Sequence, residues 1–408
     1  MDRECLNDFI VNTIKSVDPY KITLEKCKAV KPGKKHFLVA FGKASLGMSR
    51  AILDCFNIES GVVSTNENDL PSRGKIEYFR GGHPFPNAES VKAAKRAIEI
   101  MKSATSEDLV IFAISGGGSA LFEYPKVDLE ILNGITKKLM NSGADIQELN
   151  TVRKVLSYVK GGKIAGFTKA RIVSFVISDV IGDDLSTIAS GPTYPQSTNV
   201  EDAIAIMEKY KIKVPSFQKD DAVSRNNVEH VIVASNKDAC NQARKFLKDV
   251  GYDSIYLGSA IQGEAREVAK VLGGIYTEVE RGNSDFKKPI AIVSGGETIV
   301  TVKGNGKGGR NQELALAMVE IIKGKNITFA SFGTDGIDGN SPADGAIVDG
   351  QTFDMVKALG IDSKDYLARN DSFTFFDKLS LALITGPTGT NVMDVQIALI
   401  PDHAFNEL

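Results

Sequence analysis

Short apolar runs recur at 37–41, 109–114, 172–177, 231–234, 290–293, 327–332 and 381–384, and each gives way to a cluster of Gly, Ser, Thr, Asp or Lys. Uninterrupted runs of this length suit strands buried on both faces, as in parallel sheets. Hydrophobic positions return at helical spacing over 44–56, 88–101, 238–250 and 263–272, so the repeating unit is strand, loop, helix. The texture changes over 192–227, where Pro195 and Pro215 flank a short helical stretch at 201–210 and polar segments. That stretch reads as a bridge between domains. The pattern predicts an α/β protein divided at 1–225 and 226–408. Ligands in open α/β sheets bind outside the carboxyl ends of the strands, so the polar endings carry the candidate chemistry.

Composition narrows the partners. A chain of 408 residues that is 42% hydrophobic exceeds one core and supports about two. A formal net charge of -2 gives no general attraction to nucleic acid or anionic lipid, so any anion site is local. Residues 1–9 mix Asp, Arg and Glu and lack the order of a secretory signal. No apolar run approaches the roughly 20 residues that span a bilayer. Cys5, Cys27, Cys55 and Cys240 form no close pair, and His36, His83, His230 and His403 match no metal-ligand spacing. This argues against zinc, iron–sulfur or dithiol chemistry and leaves oxygen ligands for any metal. The expectation is a cytoplasmic enzyme acting on small polar ligands, without nucleic-acid or membrane partners, and a homodimer by default.

Ser115-Gly116-Gly117-Gly118-Ser119 holds more glycine than one tight turn requires, and its amides are expected to line an anion nest. Lys43 follows a strand among the small residues Gly42, Ala44 and Ser45, which leaves its ammonium room to meet a ligand anion. No Walker sequence G-x-x-x-x-G-K-[ST] occurs, so a kinase here is not of the P-loop kind. Asp179 and Asp335 stand nearest their strands, where a carboxylate holds hydrated Mg²⁺ or takes a proton from a hydroxyl. Asp183, Asp184, Asp338 and Asp344 suit turns and helix caps. Glu297, in Ser-Gly-Gly-Glu-Thr, and Asn391, in Gly-Pro-Thr-Gly-Thr-Asn, are placed to orient a hydroxyl or a metal-bound water, or to cap loops. Residues 304–309 satisfy G-x-G-x-x-G, with apolar 299–302 before them and helical 312–322 after. That spacing alone points to NAD, but Ala330 and Ser331 stand where the acidic ribose ligand belongs, and Lys307 and Arg310 suit a phosphate or carboxylate. His83, in Gly-Gly-His-Pro-Phe-Pro, reads as structural.

Together these segments resemble the type II glycerate kinases, the MOFRL-domain family. The matching strings are Phe41-Gly-Lys-Ala-Ser, Gly81-Gly-His-Pro-Phe-Pro-Asn, Ser115-Gly-Gly-Gly-Ser-Ala, Leu149-Asn-Thr-Val-Arg-Lys, Ala189-Ser-Gly-Pro-Thr, Ser294-Gly-Gly-Glu-Thr, Gly308-Gly-Arg-Asn-Gln-Glu, Gly333-Thr-Asp-Gly-Ile-Asp-Gly and Thr385-Gly-Pro-Thr-Gly-Thr-Asn. They span nearly the whole chain. The resemblance implies a Rossmann-like αβα sandwich, a second α/β (MOFRL) domain, an active site in the interdomain cleft, and phosphorylation of D-glycerate by ATP at the 2-hydroxyl. It also implies the polar set Lys43, Asp179, Glu297, Arg310, Asp335 and Asn391. On that footing Lys43 and Arg310 neutralise the transferring phosphoryl group. Asp179 or Asp335 takes the hydroxyl proton, and the other, with Glu297, holds Mg²⁺. Ser115 to Ser119, Gly191, Thr193 and Lys307 are candidate cradles for phosphate or carboxylate. Two rivals stand beside this: an NAD(P)H-dependent hydroxypyruvate reductase, resting on the Gly304 spacing, and a non-catalytic sensor of a phosphorylated metabolite.

Overall fold

The computed structural model describes residues 3–71, 74–195, 199–218 and 228–402. They form two compact units, one of Pro19–Ala234 and one of Met1–Asp18 with Ser235–Leu408. The junction expected at 225/226, parts of the expected bridge and His403 lie outside the described residues. Among the described residues no helix is long and apolar enough to cross a membrane.

The unit of Pro19–Ala234 holds β1 (His36–Phe41), β2 (Ile58–Thr65), β3 (Ile76–Arg80), β4 (Leu109–Ile114), β5 (Arg171–Ile177) and β6 (Val228–Ala234). Their order is β3-β2-β1-β4-β5-β6, and every pair is parallel. This is the Rossmann order, whose direction reverses between β1 and β4. Phe41 lies opposite Ile114 at the carboxyl ends of those two strands, so the segments beginning at Gly42 and Ser115 open side by side. β4 is buried throughout and β1 and β5 nearly so, because the faces of the sheet are covered. Val39, Phe41, Phe112 and Ile172 pack with Ala93, Ala97 and Met101 of helix Ala88–Ser103. A separate cluster built on Leu139, Val152 and Met207 joins helices Leu129–Asn141, Ile146–Val155 and Val200–Lys209.

The second unit holds β7 (Asp253–Glu264), β8 (Ile290–Ile299), β9 (Thr328–Gly333), β10 (Gly345–Asp349), β11 (Ala382–Leu383) and β12 (Asp394–Ile400), ordered β11-β10-β9-β12-β8-β7. All seven apolar runs are strands, but the expectation of parallel pairing fails here. Only β7 and β8 run parallel, while the pairs of β12 with β8 and β9, β9 with β10, and β10 with β11 are antiparallel. The central strand β12 is buried along its length. Ser294 to Thr298, expected as a loop after a strand, lies within β8. Gly295 and Gly296 keep that stretch in the sheet by close approach: a Cβ would meet Asn236 Oδ1 at 1.9 Å and the Ile261 carbonyl oxygen at 2.2 Å, respectively. The strand expected at 299–302 is accordingly the tail of β8 followed by coil. The helix Arg3–Ser16 belongs to this unit, with Phe9 edge-on to Phe246 at 6.1 Å.

Candidate active site

In the Rossmann unit the segments after β1, β4 and β5 interlock. The Lys43 amide donates to the Gly116 carbonyl at 2.9 Å, and the Ala44 amide donates to Ser115 Oγ at 3.0 Å. Gly42 has φ of 120°, and a Cβ on it would strike Ser115 Oγ at 2.2 Å, so only glycine fits that crossing. A Cβ on Gly116 would meet Asp179 Oδ2 at 2.0 Å, and one on Gly117 would meet His83 Nε2 at 3.3 Å and Lys43 Cγ at 3.4 Å. Lys43, Asp179, His83 and the glycine loop are thus one cluster. Ser119 and Ser190 hydroxyls lie 2.8 Å apart, and Ser190 Oγ donates to Asn150 Oδ1 at 2.9 Å. This fixes the loop to helix Ile146–Val155. Ala189, Ser190 and Gly191 have φ of 51°, 62° and 59°, a run of left-handed residues that costs free energy at the two non-glycines and persists where surrounding contacts hold it.

The electrostatics follow from burial. Among the described residues the Lys43 ammonium has no hydrogen-bond or ion-pair partner, and the Gly116 and Gly117 amides donate to no protein acceptor. Burial pushes the half-buried Asp179 carboxyl up to about 6, against the pull of the Lys43 charge. Burial, and then the charges of Lys43 and Arg153, hold the His83 imidazole below its ordinary range.

In the second unit, Arg310 opens helix Arg310–Ile321. Its Nε donates to Asp394 Oδ2 at 2.6 Å, its Nη2 to Asp394 Oδ1 at 2.9 Å, and its Nη1 lies 3.3 Å from Glu297 Oε1. Burial opposes the charge on Arg310, but Asp394 and then Glu297 outweigh it and hold the guanidinium above its ordinary value. Asp394, fully buried, carries no signal in the sequence as a residue that follows a strand. It starts β12, but β12 is antiparallel, and Asp394 pairs with Gly296 of β8 and Gly333 of β9, so it reaches the same edge as their carboxyl ends. The run at 395–400, apolar except for Gln396, is the signal the sequence offers for this strand. Asp335 is half-buried in the loop after β9. Asn391 Oδ1 accepts from the Met393 amide at 3.0 Å. Asp338 caps the helix of Arg310 through the Asn311 and Gln312 amides, and Asp344 accepts from Thr385 Oγ1. Burial raises their carboxyls to about 6 and about 7.

The remaining candidates stand elsewhere. The Gly191 carbonyl accepts from Gly162, and Thr193 Oγ1 is buried between Ser174 Oγ and His230 Nε2, so these polar groups are engaged within the fold. Lys307 is bound through its backbone to Asp371 and Phe373. The glycines around it serve packing: a Cβ on Gly304, Gly306, Gly308 or Gly309 would come within 2.4 Å of Arg369, Asp371, Ser372 or Asp338, respectively.

A DUF4147 domain, described only as of unknown function, matches 5–220, and the MOFRL family matches 290–394. The chain is 42% identical to a D-glycerate 2-kinase of Thermotoga maritima, over 89% of this chain and 90% of that one. The chain belongs to the MOFRL-domain glycerate 2-kinase family. A crystal structure of glycerate kinase from the same organism superposes with a TM-score of 0.92 at 39% identity, covering 97% of this chain and 99% of the other. Family members also include a putative hydroxypyruvate reductase of Agrobacterium vitis, 36% identical over 98% of this chain and 94% of its own. The two-unit α/β layout is that of the family.

Proposed function

We propose that this chain is an ATP-dependent kinase that phosphorylates the 2-hydroxyl of D-glycerate. One observation carries the reading within this family. The unpartnered Lys43 ammonium acts on an Asp179 carboxyl held near 6, beside glycine amides with no acceptor among the described residues. A carboxyl of that strength is ionised at neutral pH yet basic enough to accept the hydroxyl proton as the oxygen attacks, so Asp179 is assigned as the base. Phosphoryl transfer depends mainly on alignment and charge neutralisation. Lys43 and Arg310 supply the charge, and Arg310 is held ready by Asp394 and Glu297.

Mg²⁺ bridging nucleotide phosphates needs only one or two protein carboxylates. The half-buried Asp335 and the exposed Glu297 supply carboxylate oxygens of that number and kind. Asp335 would hold it, with Glu297 acting through water, and the ion would neutralise phosphate charge. Asn391 is assigned to orient a hydroxyl, and Ser115 to Ser119 to receive an anion.

Incubation with D-glycerate, ATP and Mg²⁺ should release ADP and give 2-phosphoglycerate by phosphorus NMR. Hydroxypyruvate with NADH should show no loss of nicotinamide absorbance. The reverse pattern would establish the reductase. The packing of the 304–309 glycines against neighbouring backbone and Asp338 does not support that alternative. The cytoplasmic homodimer that accompanies this reading is tested by light scattering and cell fractionation.

A further inference from the structure

Arg153 is a cation for which the mechanism has no use. It projects from helix Ile146–Val155, one turn beyond Asn150, the residue tied through Ser190 to Ser119. The guanidinium is half-buried, and among the described residues it makes no hydrogen bond or ion pair. The charge of Glu123 acts on it, but that carboxylate makes its contacts with Lys160 at 2.8 Å and Ser157 at 2.5 Å, all within the interior. A partly buried guanidinium without an anion is costly, and the planar fork of arginine matches a carboxylate bidentately.

What surrounds Arg153 identifies the anion. Its charge acts on His83, as does that of Lys43, and the His83 ring and the Lys43 stem lie over the Gly117 α-carbon. The Asp179 carboxylate lies over the preceding α-carbon, that of Gly116. Successive α-carbons are about 3.8 Å apart, so a proton acceptor and an anion site stand side by side, a small-molecule distance apart. In a 2-hydroxycarboxylate the hydroxyl and the carboxylate sit on adjacent carbons. We propose that Arg153 and His83, with the Gly117 amide and the Lys43 charge, hold the carboxylate of the acceptor, so that its 2-hydroxyl falls to Asp179. This rests on the kinase reading and adds to it the residues that recognise the acid and select the position phosphorylated.

Arg153→Gln, Arg153→Lys and His83→Gln should each keep the parent's unfolding midpoint within a few degrees. Loss of a charged hydrogen-bond pair predicts a KM for D-glycerate raised about 10- to 100-fold in Arg153→Gln, less in Arg153→Lys, with the KM for ATP within twofold of the parent. D-lactate, which keeps the 2-hydroxycarboxylate, should compete with glycerate in the parent, and 1,2-propanediol, which lacks the carboxylate, should not. A raised KM for ATP with unchanged glycerate KM would assign Arg153 to a nucleotide phosphate and overturn the proposal, as would unchanged constants for both substrates. If Arg153→Gln fails to fold, Arg153→Lys and the two inhibitors decide. A parent that makes no phosphoglycerate is a separate failure, that of the kinase reading.

Discussion

At the scale of single residues, environment separates carboxylates that look alike in the sequence. Asp179 and Asp344 both follow small polar strings, yet Asp179 meets an unpaired lysine and Asp344 a threonine hydroxyl. With the Asp179 carboxyl near 6, kcat/KM should rise with pH through about 6. Asp179→Asn should lower it at least about 10³-fold and abolish that limb; an unchanged limb would move the base elsewhere. Arg310→Ala should lower kcat by about 10³-fold by analogy with other charge-stabilising arginines, and near-parental turnover would remove Arg310 from the reaction. Asp344 gives a prediction on stability. Its carboxyl titrates near 4 when unfolded and at about 7 when folded. The folded state therefore holds its proton longer, and stability from this group is full below pH 4 and lost as pH rises through 7. Asp344→Asn, which cannot ionise, should gain on the parent between pH 4.5 and 8 in urea midpoints. A constant difference would place the ionisation elsewhere.

At the scale of elements, the glycine strings were legible as unusual but not in their purpose. Ser115 to Ser119 reads in the sequence as an anion nest, and 304–309 has the spacing of a dinucleotide loop. In the first, a Cβ would strike the Asp179 carboxylate, and in the second it would strike loop backbone or a neighbouring side chain. Gly116→Ala should therefore reduce activity far more than stability, since the displaced group is Asp179. Gly306→Ala, where a Cβ would come 2.5 Å from the Asp371 α-carbon, should lower stability by about 1–3 kcal/mol, the usual scale of overpacking. Denaturant titrations of both variants beside their turnover would separate the two roles, and equal losses of stability would erase the distinction. Helices such as those over 88–101 and 238–250 are legible in the sequence because 3.6-residue periodicity is local. β12 is not legible in the same way, because its run follows directly on the loop after β11, and pairing partners far away in the chain decide its place.

At the scale of the whole molecule, the chain's beginning supplies a helix to the unit that its second half builds. Leu6, Phe9, Ile10, Ile14 and Val17 are buried, and the Thr390 hydroxyl donates to the Val17 carbonyl at 3.2 Å. Burying each such side chain contributes about 1.5–3 kcal/mol, so removing residues 1–18 should cost this unit several kcal/mol. Calorimetry would detect the lowered transition, and an unchanged one would show that the helix adds nothing. The sequence by itself determined the α/β class, the strands at the seven apolar runs, the family, and the polar residues nearest the first sheet, because buried parallel strands and their turns are written in consecutive residues. Only the tertiary structure decided the antiparallel course of β12, the clasp of Asp394 on Arg310, and the gathering of His83, Lys43 and Asp179 around Gly116 and Gly117. Those arrangements depend on strand order and helix docking between residues distant in the chain, which no local periodicity encodes.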